Sequence, residues 1–511
     1  MFVNDNFKSR RKSLINSFPD YKVVTVHINE TTFYYGKPRK AQMFRFVDRF
    51  DIKNFETMKL LNLFALLLFL SLCGHAQEKQ MMTISEMLEY AQAHNFDLKD
   101  AQFNALKADE KFKETRANGL PQVEGVLEYK DYLQKPTLIL PGALAGSDQD
   151  IIMEYGLKHN MDASIQVSQL LFSLQYINGL RTTQKVQEIR GLEIEKSQIE
   201  LFYLLYTEYY NLLAIYKNLD IINANIQSLD LNRQKVEAMV NGGLALQTDL
   251  DKIDVNKANL EVSKQQVLSG IKLQTNNLRY IIGMDETSEL VVDTTGFAEN
   301  FTQAALTEKY QNDFYNPNNL VDIKLLNKNI ELNDYQIKTA KAEATPTIAL
   351  FGSYMFQAQR NEFNIFDTSE DWYRVNVIGF KVSIPIFSGL GTKSKVNTAK
   401  IEKEATENKK SKALIGLRLQ YQNSMMNYQT ALSNCQIQSK NVGLAARVKT
   451  QEELKYQEGI GTLTDYLISE EDFRNAQINY VQNLLKMKKS EIDLLKSKGM
   501  LVQEMSASSH Q

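Results

Sequence analysis

Cysteine is nearly missing from this chain of 511 residues: Cys73 and Cys435 are the only two. A disulfide framework is therefore excluded, and no Cys/His spacing of a zinc site or thiol enzyme is present. Proline is equally sparse, with 8 in all, none between Pro141 and Pro317 and none after Pro385. A proline inside a helix removes an N–H and clashes with the preceding turn, so two very long stretches are left free to be helical. An excess of one charge is also lacking. The balance of 59 Lys+Arg against 61 Asp+Glu gives a net charge of -2 and no reason to expect nucleic acid. Beyond residue 76 the only histidines are His94, His159 and His510, far apart in the chain. With no Ser/His/Asp or paired-carboxylate arrangement of local signature, the residues point to no enzyme, no cofactor and no metal.

Long apolar runs are lacking too, with one exception. Residues 58–76 read MKLLNLFALLLFLSLCGHA: a lysine, an apolar core, then Gly74 and Ala76 at the small-residue positions of a cleavage site. This core is short for a permanent anchor and fits a secretory signal peptide. Lipid attachment at Cys73 is the weaker reading, because Leu72 stands where a small residue is usual. Residues 1–57 precede that leader and are expected to be a non-native upstream extension. Removing residues 1–76 takes away 12 Lys+Arg and 6 Asp+Glu, which leaves 47 against 55, a net charge of about -8.

What remains is written twice. Residues 240–250 read VNGGLALQTDL and residues 456–467 read YQEGIGTLTDYL, each between two proline-free amphipathic runs. A shift of 216 places Gly243 on Gly459, Leu244 on Ile460, Thr248 on Thr464 and Asp249 on Asp465. Glycine allows the positive φ that ends a helix, and Thr-Asp offers oxygens to cap the next, so each copy reads as the bend of a helical hairpin. Leu205, Leu212, Leu219 and Ile226 recur every seven residues before the first bend, and Tyr421, Tyr428, Cys435 and Val442 do so before the second. Such seams suit coiled-coil packing, which makes Cys435 a packing residue first and a reactive thiol second.

Ahead of each hairpin the period changes to two. Residues of about 122–133 and 163–172 alternate in the first copy, and about 347–356 and 373–387 in the second. Each run has about the length that a tilted strand needs to cross a bilayer, though a soluble hairpin packed on helices fits alternation equally well. The spacing assigns 77–283 to a first repeat with a leading helix opened by T-I-S-E, a capping-box pattern, and a tip at 242–249. It assigns 284–319 to an equatorial connector, 320–501 to a second repeat with its tip at 458–465, and 502–511 to a tail. Four strands cannot close a barrel, so strands that cross a membrane require several chains to share one.

These features together resemble the TolC family of outer-membrane efflux proteins. The resemblance rests on the TISEMLEYA opening from Thr83, the paired A-x-x-x-P strand openings at Pro121 and Pro346, the F-S exits at Phe172 and Phe387, and the doubled G-[LI]-x-x-x-T-D turns. It implies an α+β membrane protein of the Gram-negative outer membrane: a homotrimer with a twelve-stranded β-barrel set in lipid above a long periplasmic α-helical barrel. It implies passive exit for a tripartite efflux or type I secretion system, with a periplasmic adaptor docked at the tips and an inner-membrane pump of RND or ABC type. Docking then falls to Gly243, Leu244, Thr248, Gly459 and Ile460, and gating to Tyr456, Asp465 and Ile468. Two departures stand out, since Gly461 and Ile468 occupy places held in the best-known member by an arginine and an aspartate of the closed state. The competing reading is a periplasmic coiled-coil or adaptor protein without a barrel. An adaptor normally has one hairpin flanked by small β domains, whereas this chain has two equal ones.

Overall fold

The computed structural model describes residues 21–28, 31–38, 80–141, 146, 149–285, 288–294, 315–365, 367 and 369–503. It divides into two units, residues 1–78 and 79–511. In the first, strands β1 (Tyr21–Ile28) and β2 (Thr31–Pro38) form an antiparallel hairpin. The expected leader at 58–76 lies outside the described residues, as does the rest of the expected extension.

The second unit begins with β3 (Gln80–Met82), which pairs in parallel with β8 (Leu290–Val292) of the connector, a pairing that three-residue runs do not announce in the sequence. The leading helix is two helices, α1 (Ile84–His94) and α2 (Phe96–Ala117). Thr83 and Glu86 form the expected capping box on α1. Asn95 then breaks the run, because its side chain caps α2 through the Leu98 N–H and donates to the Ile281 carbonyl at 2.8 Å. Strand β4 (Gln122–Asp131) follows, then a short ribbon of β5 (Thr137–Leu140) and β6 (Ile151–Glu154), then β7 (His159–Ser173).

Ser173 caps α3 (Leu174–Asn241), a helix of 68 residues and so about 100 Å long. Helix α4 (Gln247–Ile282) returns beside its lower half. After the connector, α5 (Val321–Ala342) leads into β9 (Thr347–Arg360) and β10 (Tyr373–Ser383). Strand β10 stops short of the expected 387, where Pro385 removes a ladder donor. Helix α6 (Gly391–Gln457) and helix α7 (Leu463–Lys498) form the second long hairpin.

The helices make a layer rather than a closed bundle. Near the sheet, neighbours run in the order α2, α3, α5, α6, and away from it α4, α3, α7, α6. The short helices meet end to end at glycines with positive φ. A Cβ on Gly283 would lie 2.3 Å from the His94 carbonyl oxygen, and one on Gly499 would lie 3.0 Å from Leu320 Cδ2. Much of the expected seam is core: Leu205 and Leu212 are buried with Leu278, Ile282, Leu484 and Met487, and Tyr428 and Cys435 join them from α6. Ile226 is buried nearer the tips with Leu250, Ile253 and Leu260, while Leu219 and Val442 are half-buried. Burying each leucine contributes about 1.5–3 kcal/mol. Beside the sheet, ion pairs replace apolar contact, with Lys185 to Glu331 at 2.9 Å and Lys328 to Glu188 at 3.0 Å fastening α3 to α5. The two lysines hold both carboxyls below the usual glutamate pKa.

Candidate functional site

Two places in this fold have the chemistry of a site, one at each end of the long helices. The first is the sheet, ordered β4, β7, β9, β10 and antiparallel throughout. The register sorts its side chains onto two faces. Val123, Leu127, Ile165, Tyr354, Ile378 and Phe380 share one face and are exposed. Glu124, Glu128, Gln166, Ser353 and Gln357 share the other, interspersed with the exposed Phe351, Val375 and Val377. Strands of 10 to 15 residues, tilted as in a barrel, rise about 25 Å or more, which matches the apolar band of a membrane barrel. The outermost strands β4 and β10 run in opposite directions and leave their outer edges unpaired among the described residues.

The second place is the pair of helical tips. The first bend is a Schellman turn: Gly243 has φ +76°, its N–H bonds to the Val240 carbonyl, and the Leu244 N–H reaches Met239 at 2.8 Å. The second repeats it, with Gly459 at φ +75° and the Ile460 N–H on the Lys455 carbonyl at 3.0 Å. Leu244 and Ile460 project from the turns, 78% and 74% exposed. A valine at Gly459 is strained in the left-handed region by about 1–3 kcal/mol, whereas Gly242, at φ -81°, tolerates alanine. Thermal unfolding checks this: Gly459→Val lowers the midpoint and Gly242→Ala leaves it in place.

The caps differ from expectation. Thr464 is not the cap of α7, because Thr462 holds that place, accepting from the Asp465 N–H at 3.1 Å and donating to the Asp465 carboxylate at 2.7 Å. Thr248 lies inside the first turn of α4, whose N-cap position is Leu246, with no side-chain cap. Gly461 is a structural requirement of the turn. A Cβ there would fall 2.9 Å from Lys455 Cβ and 3.2 Å from Lys455 C, so an arginine at this place needs the backbone to move.

The tips stand side by side. Lys252 Nζ lies 3.2 Å from Asp249 Oδ1 and 3.3 Å from Thr464 Oγ1, joining the first turns of α4 and α7. Tyr456, half-buried in the last turn of α6, stacks on Tyr466 with ring centres 6.3 Å apart. Burial and then the neighbouring Asp249 carboxylate raise the Tyr456 phenol above its usual pKa. Tyr466 is the residue that the sequence reading missed. It is 1% exposed, packs with Leu250, Ile253 and Leu463, and accepts a hydrogen bond from Asn232 of α3. Its counterpart under the shift of 216 is Leu250, and that departure from the repeat was the available signal. Asp465 is exposed, and Ile468, one turn further along α7, is 54% exposed. The structure therefore joins Tyr456, Thr464 and Asp249 in one cluster and leaves Gly243, Leu244, Gly459, Ile460, Asp465 and Ile468 open.

Residues 318–500 match the family model described as outer membrane efflux protein. The fold is similar to that of the outer membrane protein VceC from Vibrio cholerae, with a TM-score of 0.62 and 16% identity over 81% of this chain and 96% of that one. It is similar to the CmeC outer membrane channel of Campylobacter jejuni, with a TM-score of 0.62 and 15% identity over 83% and 89% of the two chains. The MtrE outer membrane channel of Neisseria gonorrhoeae, in its open state, gives 0.61 and 14% over 82% and 89%. Among curated proteins none matches the sequence.

Proposed function

We propose, for a chain whose residues 318–500 match the outer membrane efflux protein family, that three copies form one duct through the outer membrane and across the periplasm. The observation that carries this reading is the two-faced sheet with open, oppositely directed edges. An unpaired edge is not tolerated in lipid, and β10 of one copy lies antiparallel to β4 of the next when the chains are arranged in a ring. Three copies give twelve strands, with the apolar face in lipid and the polar face around water.

The helical layer supports the same closure. Phe103 and Leu106 on α2 and Val255 and Val262 on α4 are exposed along one side. Ile415, Met426, Ile437 and Val448 are exposed on α6 along the other, each 11 residues after the last. An 11-residue repeat keeps one stripe of a helix facing a neighbour over a long distance. Copies joined side to side bury both stripes and turn the layers into a tunnel.

No chemistry is performed in such a duct. Substrate enters at the tips from an inner-membrane pump, and a periplasmic adaptor docks on the Gly243–Leu244 and Gly459–Ile460 turns. Thr248, exposed in the first turn of α4, borders that surface. Gating belongs to the second tip: Tyr456 holds the hairpins together, and three copies of Asp465 and Ile468 narrow the lumen. Ile468→Ser replaces an aliphatic ring with a polar one and is expected to raise closed-state leakage in single-channel recordings. Unchanged leakage would remove Ile468 from the gate. The trimer itself is tested by Val123→Cys with Val382→Cys, on the two edge strands at the helical end of the sheet. Oxidation in intact outer membranes is expected to link neighbouring chains, and failure to link them contradicts the shared barrel.

A further inference from the structure

The ribbon of β5 and β6 stands beyond the rim of the sheet, at the end remote from the helices. It prolongs the hairpin of β4 and β7 past a bend at Gly156, which has φ +86°. The Tyr132 N–H still bonds to the Lys158 carbonyl at 2.8 Å before the bend, and the Tyr155 N–H to the Pro136 carbonyl at 2.8 Å after it. Beyond that point, β5 and β6 pair only with each other among the described residues. Both faces are apolar. Leu138 and Met153 oppose one another on one face, and Ile139 and Ile152 on the other. All four are exposed, Ile152 by 71%. A two-stranded ribbon alone in water is marginal in stability, and an aliphatic one more so, so its order calls for a covering surface.

Charge separates the candidates for that surface. Residues 136–157 contain no lysine or arginine and three acids, Asp148, Asp150 and Glu154, and of the flanking Lys135 and Lys158 the former lies 4.0 Å from Glu154. An anionic lipid headgroup layer attracts basic segments, not acidic ones. Trp is also absent from the ribbon, and Tyr155 is its only aromatic residue, so it lacks the usual anchors of a lipid interface. Its position favours another copy of the chain instead. The ribbon grows from β4, the edge strand at which the next copy joins. The matching loop after β9 spans only residues 361–372, so nothing of equal length from the second half competes for the space.

We propose that the β5–β6 ribbons of three copies pack on one another over the mouth of the barrel and form an aliphatic constriction at its outer end. The proposal rests on the trimeric reading given above. Sidedness then gives the duct two narrow points, one of Asp465 and Ile468 at the tips and one wholly aliphatic outside.

The test is cross-linking in outer membranes of cells making the full chain in a Cys435→Ser background. Ile152→Cys is expected to yield disulfide-linked dimers as the dominant species, and the seam pair Val123→Cys with Val382→Cys reports the barrel separately. Seam links without Ile152→Cys links overturn the ribbon contact and leave the trimer standing. Loss of both overturns the trimer and the ribbon contact with it. Quenching of a fluorophore at Ile152→Cys by brominated lipid also overturns the proposal, because it puts the ribbon in the bilayer. The constriction has its own readout. With the tips opened by Tyr466→Ala, Ile139→Ser with Ile152→Ser is expected to raise single-channel conductance by about twofold or more, as relief of a dewetted ring does. Unchanged conductance overturns it.

Discussion

Glutamate at both Leu244 and Ile460 is expected to abolish capture of the adaptor and, with it, export. Each side chain is an exposed aliphatic on a rigid glycine turn, and neither contributes to a hydrophobic cluster of the chain's own. An aliphatic anchor that fills a partner's pocket is worth about 2 kcal/mol, so losing two weakens binding by about a thousandfold. A buried glutamate in the same pocket adds desolvation to that loss. Periplasmic cross-linking followed by co-purification with the adaptor measures it. The double variant should remain in the outer membrane in normal amount, since the residues are exposed. Undiminished capture would move docking away from these turns, and the single variants would show whether the two tips contribute equally.

Replacing Tyr466 by alanine is expected to open the tips and raise single-channel conductance several-fold. The ring is buried where α7 meets α3, and its hydroxyl takes a hydrogen bond from Asn232. Removing a buried aromatic of this size costs about 3–5 kcal/mol, enough to reverse a closed-to-open equilibrium of a few kcal/mol. Tyr466→Phe keeps the packing and loses the hydroxyl's hydrogen bonds, that from Asn232 among them, for about 1 kcal/mol each, and is expected to give an intermediate conductance. Two outcomes separate gating from simple misfolding: the Phe variant stays trimeric, and its conductance lies between the other two. Equal conductance in all three proteins contradicts the assignment.

The hairpins and most of the sheet were legible because their signals are local. Missing proline marks α3 and α6, paired glycines mark the turns, and alternation marks β4, β9 and β10. Other features depend on contacts that spacing does not carry. Strand β7 begins at His159, four residues before the alternation starts, because its ladder with β4 and β9 continues through His159, Asn160, Met161 and Asp162. The β5–β6 ribbon was hidden in a stretch containing Pro136 and Pro141 that reads as loop. Asn95 divides the leading helix because a carbonyl of α4 is there to receive its amide, a contact 186 residues away. At the tips, Gly243 and Gly459 followed from their role in the turn. Thr462 was passed over for Thr464, although Thr462 and Asp465 have the spacing of a capping box.

Among all these tests, the number of chains in the particle extracted from the outer membrane bears most directly on the shared barrel. Native mass measurement of the protein, solubilised in mild detergent from that fraction, is expected to give three copies, which separate only on heating. A single chain, or a particle found only in the soluble periplasmic fraction, would contradict a duct built from four strands per copy.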